Sequence, residues 1–177
     1  YVGRFSPEKG VDTFPQVISV LKNKAVFIAV GRGITDEIFF LVTNHSRRTD
    51  NVFITFSEEE QKKYIAIMRA GADFTFVPSH RESCGLTPME GFANGSLCIT
   101  SGIGGLIDSV IPLIHHDKDN TSGNGIFYED MPNSQQNPSL ILALNNAITI
   151  WQELTELLKN KLQIRIINEA KRFDWLT

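Results

Sequence analysis

Four short apolar runs, "AVFIAV" (25–30), "NVFITF" (51–56), "DFTFVP" (73–78) and "SLCIT" (96–100), punctuate the first hundred residues. Each is rich in β-branched and aromatic side chains and bounded by turn formers, the pattern of a strand buried on both faces. Between them lie segments of helical period. Residues 11–23 place Val11, Phe14, Val17, Ile18 and Leu21 on one face, with Pro15 acceptable only near the first turn. Residues 35–48, 58–70 and 88–94 read as further helices, that over 58–70 opening with Ser57 and Glu60 at capping-box spacing. Strands alternating with helices require parallel pairing through right-handed crossovers, so the expected fold is α/β, a Rossmann-like doubly wound parallel sheet. Residues 115–124 read as a surface loop before a last strand, "GIFYE", and residues 137–160 and 161–173 as two closing helices.

Composition removes several classes. At 177 residues the chain can bury roughly 70% of its unfolded surface, so one real core is expected. A formal charge of −3 gives no basic excess for nucleic acid, and no apolar run approaches a membrane span. Cys84 and Cys98 have no metal-ligand spacing with the four histidines, among which His115 and His116 are adjacent. No metal or cofactor is expected. The reading is of a reduced, cytoplasmic protein, and a plastid or membrane-linked parent chain is compatible with the same residues. The opening "YVGR" reads as the end of a strand cut from a longer chain.

In open α/β sheets ligands bind beyond the carboxyl ends of the strands, where helix N-termini converge. Three motifs fall there. "GRFSPEKG" (3–10) combines Gly3 and Gly10 with the cations Arg4 and Lys9, a setting for a diphosphate; its plainer reading is a solvated loop with Arg4 paired to Glu8. "SHRESCGLT" (79–87) leads into Pro88, with Thr87 as the expected N-cap and the amides of residues 87–90 facing an anion. Glu82 precedes that turn and Glu90 would sit in the first helical turn, both suited to sugar hydroxyls. "SGIGGLIDSV" (101–110) offers a glycine loop at Gly104 and Gly105, equally readable as tight backbone packing.

In this order the segments "GRFSPEKGVD", "AGADFTFVPSHRESCGLTPMEG", "GGLIDSV", "NGIFYED" and "RFDW" resemble the C-terminal half of the starch and glycogen synthases, glycosyltransferase family 5, whose fold is the two-domain GT-B arrangement. α-Glucan synthases and other retaining GT-B enzymes share parts of the pattern. The resemblance implies that residues 1–177 are a nucleotide-sugar-binding domain, truncated at its first strand and last helix and lacking the N-terminal acceptor domain. It implies a retaining hexosyltransferase that moves glucose from ADP-glucose or UDP-glucose to the non-reducing end of an α-glucan, the chain alone transferring little.

On matching positions, Arg4 and Lys9 grip the distal phosphate, Glu82 lies against the transferred glucose, and Glu90 binds ribose. Cys84, Gly85, Leu86 and Thr87 form the turn whose backbone meets sugar and phosphate, and Gly3, Gly104 and Gly105 complete the donor site. Ser83 and Pro88 depart from the family's proline and glutamine without removing charge. Phe56 is the expected base-stacking residue. A related GT-B transferase with a lipid or small-molecule acceptor, or a non-catalytic nucleotide-sugar-binding regulatory domain, is an alternative. A glycoside hydrolase using Glu82 and Glu90 would leave the Arg4 and Lys9 loop without a task.

Overall fold

The computed structural model of the chain describes residues 1–33, 40, 50–117, 120–132, 134 and 136–173. Strand β1 (Val2–Arg4) pairs in parallel with β2 (Phe27–Arg32), Val2 opposite Val30, and β2 pairs in parallel with β3 (Val52–Thr55). A second parallel set runs β4 (Phe74–Val77), β5 (Leu97–Thr100), β8 (Gly125–Phe127). Among the described residues, no ladder joins β1 to β4. The expected single sheet is thus two three-stranded ladders, orders β1-β2-β3 and β4-β5-β8, each starting at its own edge strand.

Helix α1 (Phe14–Leu21) follows β1, and α2 (Glu58–Gly71) follows β3. Helices α3 (Leu86–Ala93) and α4 (Leu106–Ser109) follow β4 and β5, and α5 (Pro138–Glu153) and α6 (Glu156–Ala170) close the chain. Helix α1 buries Phe14, Val17, Ile18 and Leu21, the face its spacing predicts, and packs on α5. Residues 11–13 form a 3-10 turn before it, so Pro15 stands in the first helical turn, where its missing N–H costs nothing. The Ser57 hydroxyl accepts from the Glu60 amide at 3.4 Å, but the Glu60 carboxylate takes the Thr55 hydroxyl, so only half of the capping box forms.

Two expectations need correction. Residues 115–124 are not simply a loop: β6 (Ile114–Asp117) and β7 (Asn120–Ser122) form an antiparallel hairpin. The closing helices divide at Leu154 and Thr155, where the Thr155 side chain caps α6 through the Leu158 amide; polar capping chemistry outweighs the continuous apolar pattern. The expected helix over 35–48 falls outside the described residues except for Phe40.

Aromatic rings hold the two ladders together. Phe5, Phe14 and Phe27 meet edge to face, and Phe27 reaches Phe76 of β4 with centroids 6.4 Å apart. Such pairs add about 0.5–1.5 kcal/mol each beyond their burial. A second cluster, Phe92, Leu97, Leu106, Leu162 and Ile166, seats α3 and α6 on the other ladder. Because β1 covers only Val30–Arg32 of β2, an apolar cavity of about 850 Å³ opens between the start of β2 and β4, lined by Tyr1, Ile28, Phe74 and Trp151 among others.

Candidate functional site

Strands β1 and β4 each stand at the edge of their own ladder, and the loops leaving these two strands meet. After β1, the fully buried Phe5 anchors the chain, and Pro7–Lys9 forms a 3-10 turn closed by the Gly10 amide on the Pro7 carbonyl at 2.9 Å. Gly10 has φ of 70°, and a Cβ there would lie 1.8 Å from the Pro78 carbonyl oxygen. Only glycine permits that approach. The amides of His80 and Arg81 donate to the Glu8 carbonyl at 2.9 and 3.2 Å, which ties the loop after β4 to the turn after β1.

This contact directs the two cations differently. Arg4 pairs with Glu8 at 2.6 Å on the surface, as the plainer sequence reading has it. Lys9 turns inward, and its Nζ donates to Glu82 Oε2 at 2.7 Å, both side chains at most one-fifth exposed. The Ser79 hydroxyl donates to the same oxygen at 3.0 Å. Burial alone would raise the Glu82 carboxyl, but Lys9, the Ser79 hydroxyl and the Gly85 amide outweigh it and hold the carboxyl below its ordinary range.

The glycine loop supports this acid. The Gly105 amide donates to the Glu82 carbonyl at 3.1 Å, and a Cβ at Gly104 would meet that carbonyl at 1.9 Å. At Gly105 a Cβ would come within 2.5 Å of the Ser83 carbonyl. Gly104 and Gly105 therefore act here through tight backbone packing. Ser101, buried, donates from its hydroxyl to the Ser79 carbonyl at 2.6 Å.

Helix α3 begins two residues earlier than expected. Its N-cap is Gly85, left-handed at φ of 69°, so Thr87 is the second helical residue and does not cap. A left-handed N-cap presents no side chain to the helix amides, so glycine replaces the threonine cap. Glu90 accordingly falls beyond the first turn, and its carboxylate is held by the Arg69 guanidinium of α2. Cys84 and Leu86 are exposed beside this helix start, Thr87 is half-buried, and Gly3 lies within β1 opposite Gly31. Phe56 sets its ring edge to face on Phe5, 6.3 Å away, at the rim of the core.

Over residues 1–173 the chain matches the family described as glycosyl transferases group 1. It belongs to that family. Glycogen synthase 1 of Synechococcus sp. (strain JA-2-3B'a(2-13)) is 29% identical over 182 residues, covering 99% of this chain and 35% of its own length. The chain thus spans about a third of the curated relatives' length. Among solved structures, the catalytic domain of starch synthase IV from Arabidopsis thaliana, bound to ADP and acarbose, superposes with a TM-score of 0.74 at 23% identity over 97% of this chain and 36% of that one. An Anabaena protein, Alr3699/HepE, in complex with UDP and glucose, gives 0.60 at 17% identity over 97% and 46%. The group 1 glycosyltransferase chain therefore has the α/β fold of GT-B enzymes.

One cluster of this group 1 family member carried no signal in the sequence. His80 lies between two carboxylates, Nδ1 at 2.7 Å from Asp130 Oδ1 and Nε2 at 2.9 Å from Asp12 Oδ1. Partial burial opposes the imidazole's charge, but Asp12 and then Asp130 outweigh it and hold His80 above its ordinary value. The three residues lie within segments that carry the family resemblance, yet 68 and 50 positions separate the partners from the histidine, so spacing gave no signal. Among the described residues, no three His, Cys, Asp or Glu side chains gather as a metal site, and no helix is long and apolar enough to cross a membrane.

Proposed function

We propose that this chain is the nucleotide-sugar-binding, C-terminal half of a retaining glucosyltransferase that moves glucose from ADP-glucose or UDP-glucose to the non-reducing end of an α-glucan. The carrying observation is the Lys9–Glu82 pair, a cation from the β1 loop and an acid from the β4 loop joined beyond the carboxyl ends of two edge strands. Open α/β sheets bind nucleotides at that crevice. Support also comes from the ligands of the two solved relatives, ADP in one and UDP with glucose in the other.

Breaking the anomeric C–O bond leaves its electron pair on the diphosphate oxygen. In this reading Arg4 and Lys9 stabilise that growing charge, the office a metal fills elsewhere, and a fixed cation in such a place contributes several kcal/mol. Lys9 keeps two further N–H bonds beyond the one given to Glu82, enough to reach a phosphate oxygen without releasing the acid. Glu82, kept ionised by its neighbours, accepts glucose hydroxyls. Leu86 and Thr87 offer helix-start amides to the phosphates, Gly85 gives its amide to Glu82 at the turn before them, and Cys84 and Gly3 line the approach. Gly104 and Gly105 fix the height of the acid loop, and Glu90 receives the ribose diol once it shares or leaves Arg69. The acceptor glucan is held by a part of the protein outside this chain.

Titration calorimetry with ADP, UDP, ADP-glucose and UDP-glucose tests the reading. Saturable binding of one base's pair supports it and names the base. Failure of all four, in this chain and in a longer chain that carries an acceptor domain, overturns it.

A further inference from the structure

Three loops that leave three different strands converge on His80. Asp12 belongs to the turn following Lys9, His80 stands two residues before Glu82, and Asp130 follows β8. The ring is about 15% exposed and Asp130 about 12%, so that contact is largely out of water, whereas Asp12 is about 43% exposed and meets the ring at the surface. The His80 amide also donates to the Glu8 carbonyl, one residue from Lys9.

Chemistry limits which form of the ring fits. A neutral imidazole has one N–H and one bare nitrogen, and the bare nitrogen would face a carboxylate oxygen at hydrogen-bond distance with no proton between them. Only the imidazolium donates to both Asp12 and Asp130. We propose that His80, in its doubly protonated form, is a positioning residue that clamps the Arg4 and Lys9 loop to the Glu82 loop, so that donor affinity depends on its protonation. The clamp rests on the donor-site reading for its effect on affinity, although its geometry stands apart from it.

The groups around the ring are accounted for. Asp12 faces it from the 3-10 turn and Asp130 from the segment after β8. Glu8 is turned to Arg4, and Lys9 to Glu82. Arg81 and Glu129, the chain neighbours on either side of the cluster, are exposed. Tyr128 is buried, its hydroxyl has no hydrogen-bond partner among the described residues, and burial together with the Asp130 and Asp12 charges pushes its phenol up, so it stays neutral and takes no proton from the ring. Loss of the ring proton therefore leaves two carboxylates on one neutral imidazole. One of them then repels the ring nitrogen, and the Asp12 turn, which follows the turn that carries Lys9, loses its side-chain tie to the Glu82 loop, leaving the backbone bonds to the Glu8 carbonyl and the Lys9–Glu82 pair.

In the folded chain the imidazole value lies above the ordinary 6.5. The clamp's contribution is accordingly complete below about pH 6.5 and is lost as pH rises through the raised value. The test follows nucleoside diphosphate affinity by calorimetry from pH 6 to pH 9.5 in the unaltered chain, His80→Gln and His80→Arg, with ADP and UDP as probes and the His80 ring nitrogens observed by NMR. The expected result is an affinity drop of about tenfold across the His80 titration, the scale of one lost charge-assisted bond. His80→Gln should be weak and flat across pH, and His80→Arg, a permanent cation with several donors, should be strong and flat.

Equal affinities and parallel pH profiles for the unaltered chain and His80→Gln overturn the clamp. If neither nucleotide binds any variant, the donor reading fails by itself and the ring spectrum decides the clamp. Two ring N–H protons at pH 6, with amide exchange at Lys9 and Glu82 quickening as they are lost, support it; one ring proton at pH 6 overturns it. The spectrum is recorded on the unaltered chain, so it decides the clamp even where His80→Gln misfolds.

Discussion

Lys9 Nζ and Glu82 Oε2 are 2.7 Å apart although 73 residues separate them in the chain. Each belongs to a loop leaving a different parallel ladder, so the pair joins the two ladders through their loops. A half-buried acid without its cation keeps the desolvation cost and loses the compensation. Lys9→Ala should therefore destabilise the fold by about 1–2 kcal/mol, well below a fully buried pair because both groups still touch water, and should weaken diphosphate binding at least tenfold. Urea unfolding and calorimetry check the two halves. A binding loss with unchanged stability would show that Lys9 serves the ligand alone.

The same acid sets an acid limit. Because the folded value of Glu82 lies below its ordinary 4.5, the stability it contributes is present above that value and is lost as pH falls through the lowered one. Stability curves between pH 6 and pH 2.5 should show an acid-side slope that is reduced in Lys9→Ala. Parallel curves for the two proteins would assign the slope to other carboxylates.

Arg4 gives the contrasting case. Its pair with Glu8 is exposed, so Arg4→Ala should change stability by no more than about 0.5 kcal/mol. Diphosphate affinity should nonetheless fall about fivefold to tenfold, the loss of one charge-assisted contact. Unchanged affinity for ADP and UDP would remove Arg4 from the phosphate site.

Gly10 admits no side chain. A Cβ would meet the Pro78 carbonyl oxygen at 1.8 Å on a backbone at φ of 70°. Left-handed strain alone costs about 1–2 kcal/mol, and the clash must be added. Gly10→Ala should lower stability by about 3 kcal/mol and separate the Lys9 and Glu82 loops. A thermal midpoint within a degree of the parent would mean that the loops adjust freely.

Glu90 can be separated from the phosphate residues by choice of ligand. Glu90→Ala should weaken ADP or UDP by about 1 kcal/mol, one hydrogen-bonded diol, while inorganic pyrophosphate binds as before. Equal losses for nucleotide and pyrophosphate would place Glu90 in a general electrostatic role.

Much of the fold was legible because it is written locally. The four apolar runs became β2, β3, β4 and β5 within two residues at either end, and the face of α1 follows from the spacing of Phe14, Val17, Ile18 and Leu21. The hairpin of β6 and β7 escaped notice because its stretch is polar, and antiparallel pairing of two short strands needs no buried alternation. The early start of α3 escaped for a related reason. Gly85 in the left-handed region caps by backbone geometry, which no side chain marks in the sequence, whereas the Thr87 hydroxyl is the group a cap ordinarily uses.

Residue types and positions marked out the candidate site: one cation ending β1 and another in the turn after it, an acid in the loop after β4, glycines after β5, each at a strand's carboxyl end. Those are properties of short segments and survive in any sequence that folds this way. Which charge meets which is a property of distance across the fold. Lys9 rather than Arg4 reaches Glu82, and His80 takes Asp12 with one nitrogen and Asp130 with the other, because close backbone approach at Gly10 and Gly104 brings the loops after β1, β4 and β5 to within side-chain reach. Electrostatic pairing depends on separations of a few ångströms, and local residue order carries no information about such separations between segments fifty or more positions apart.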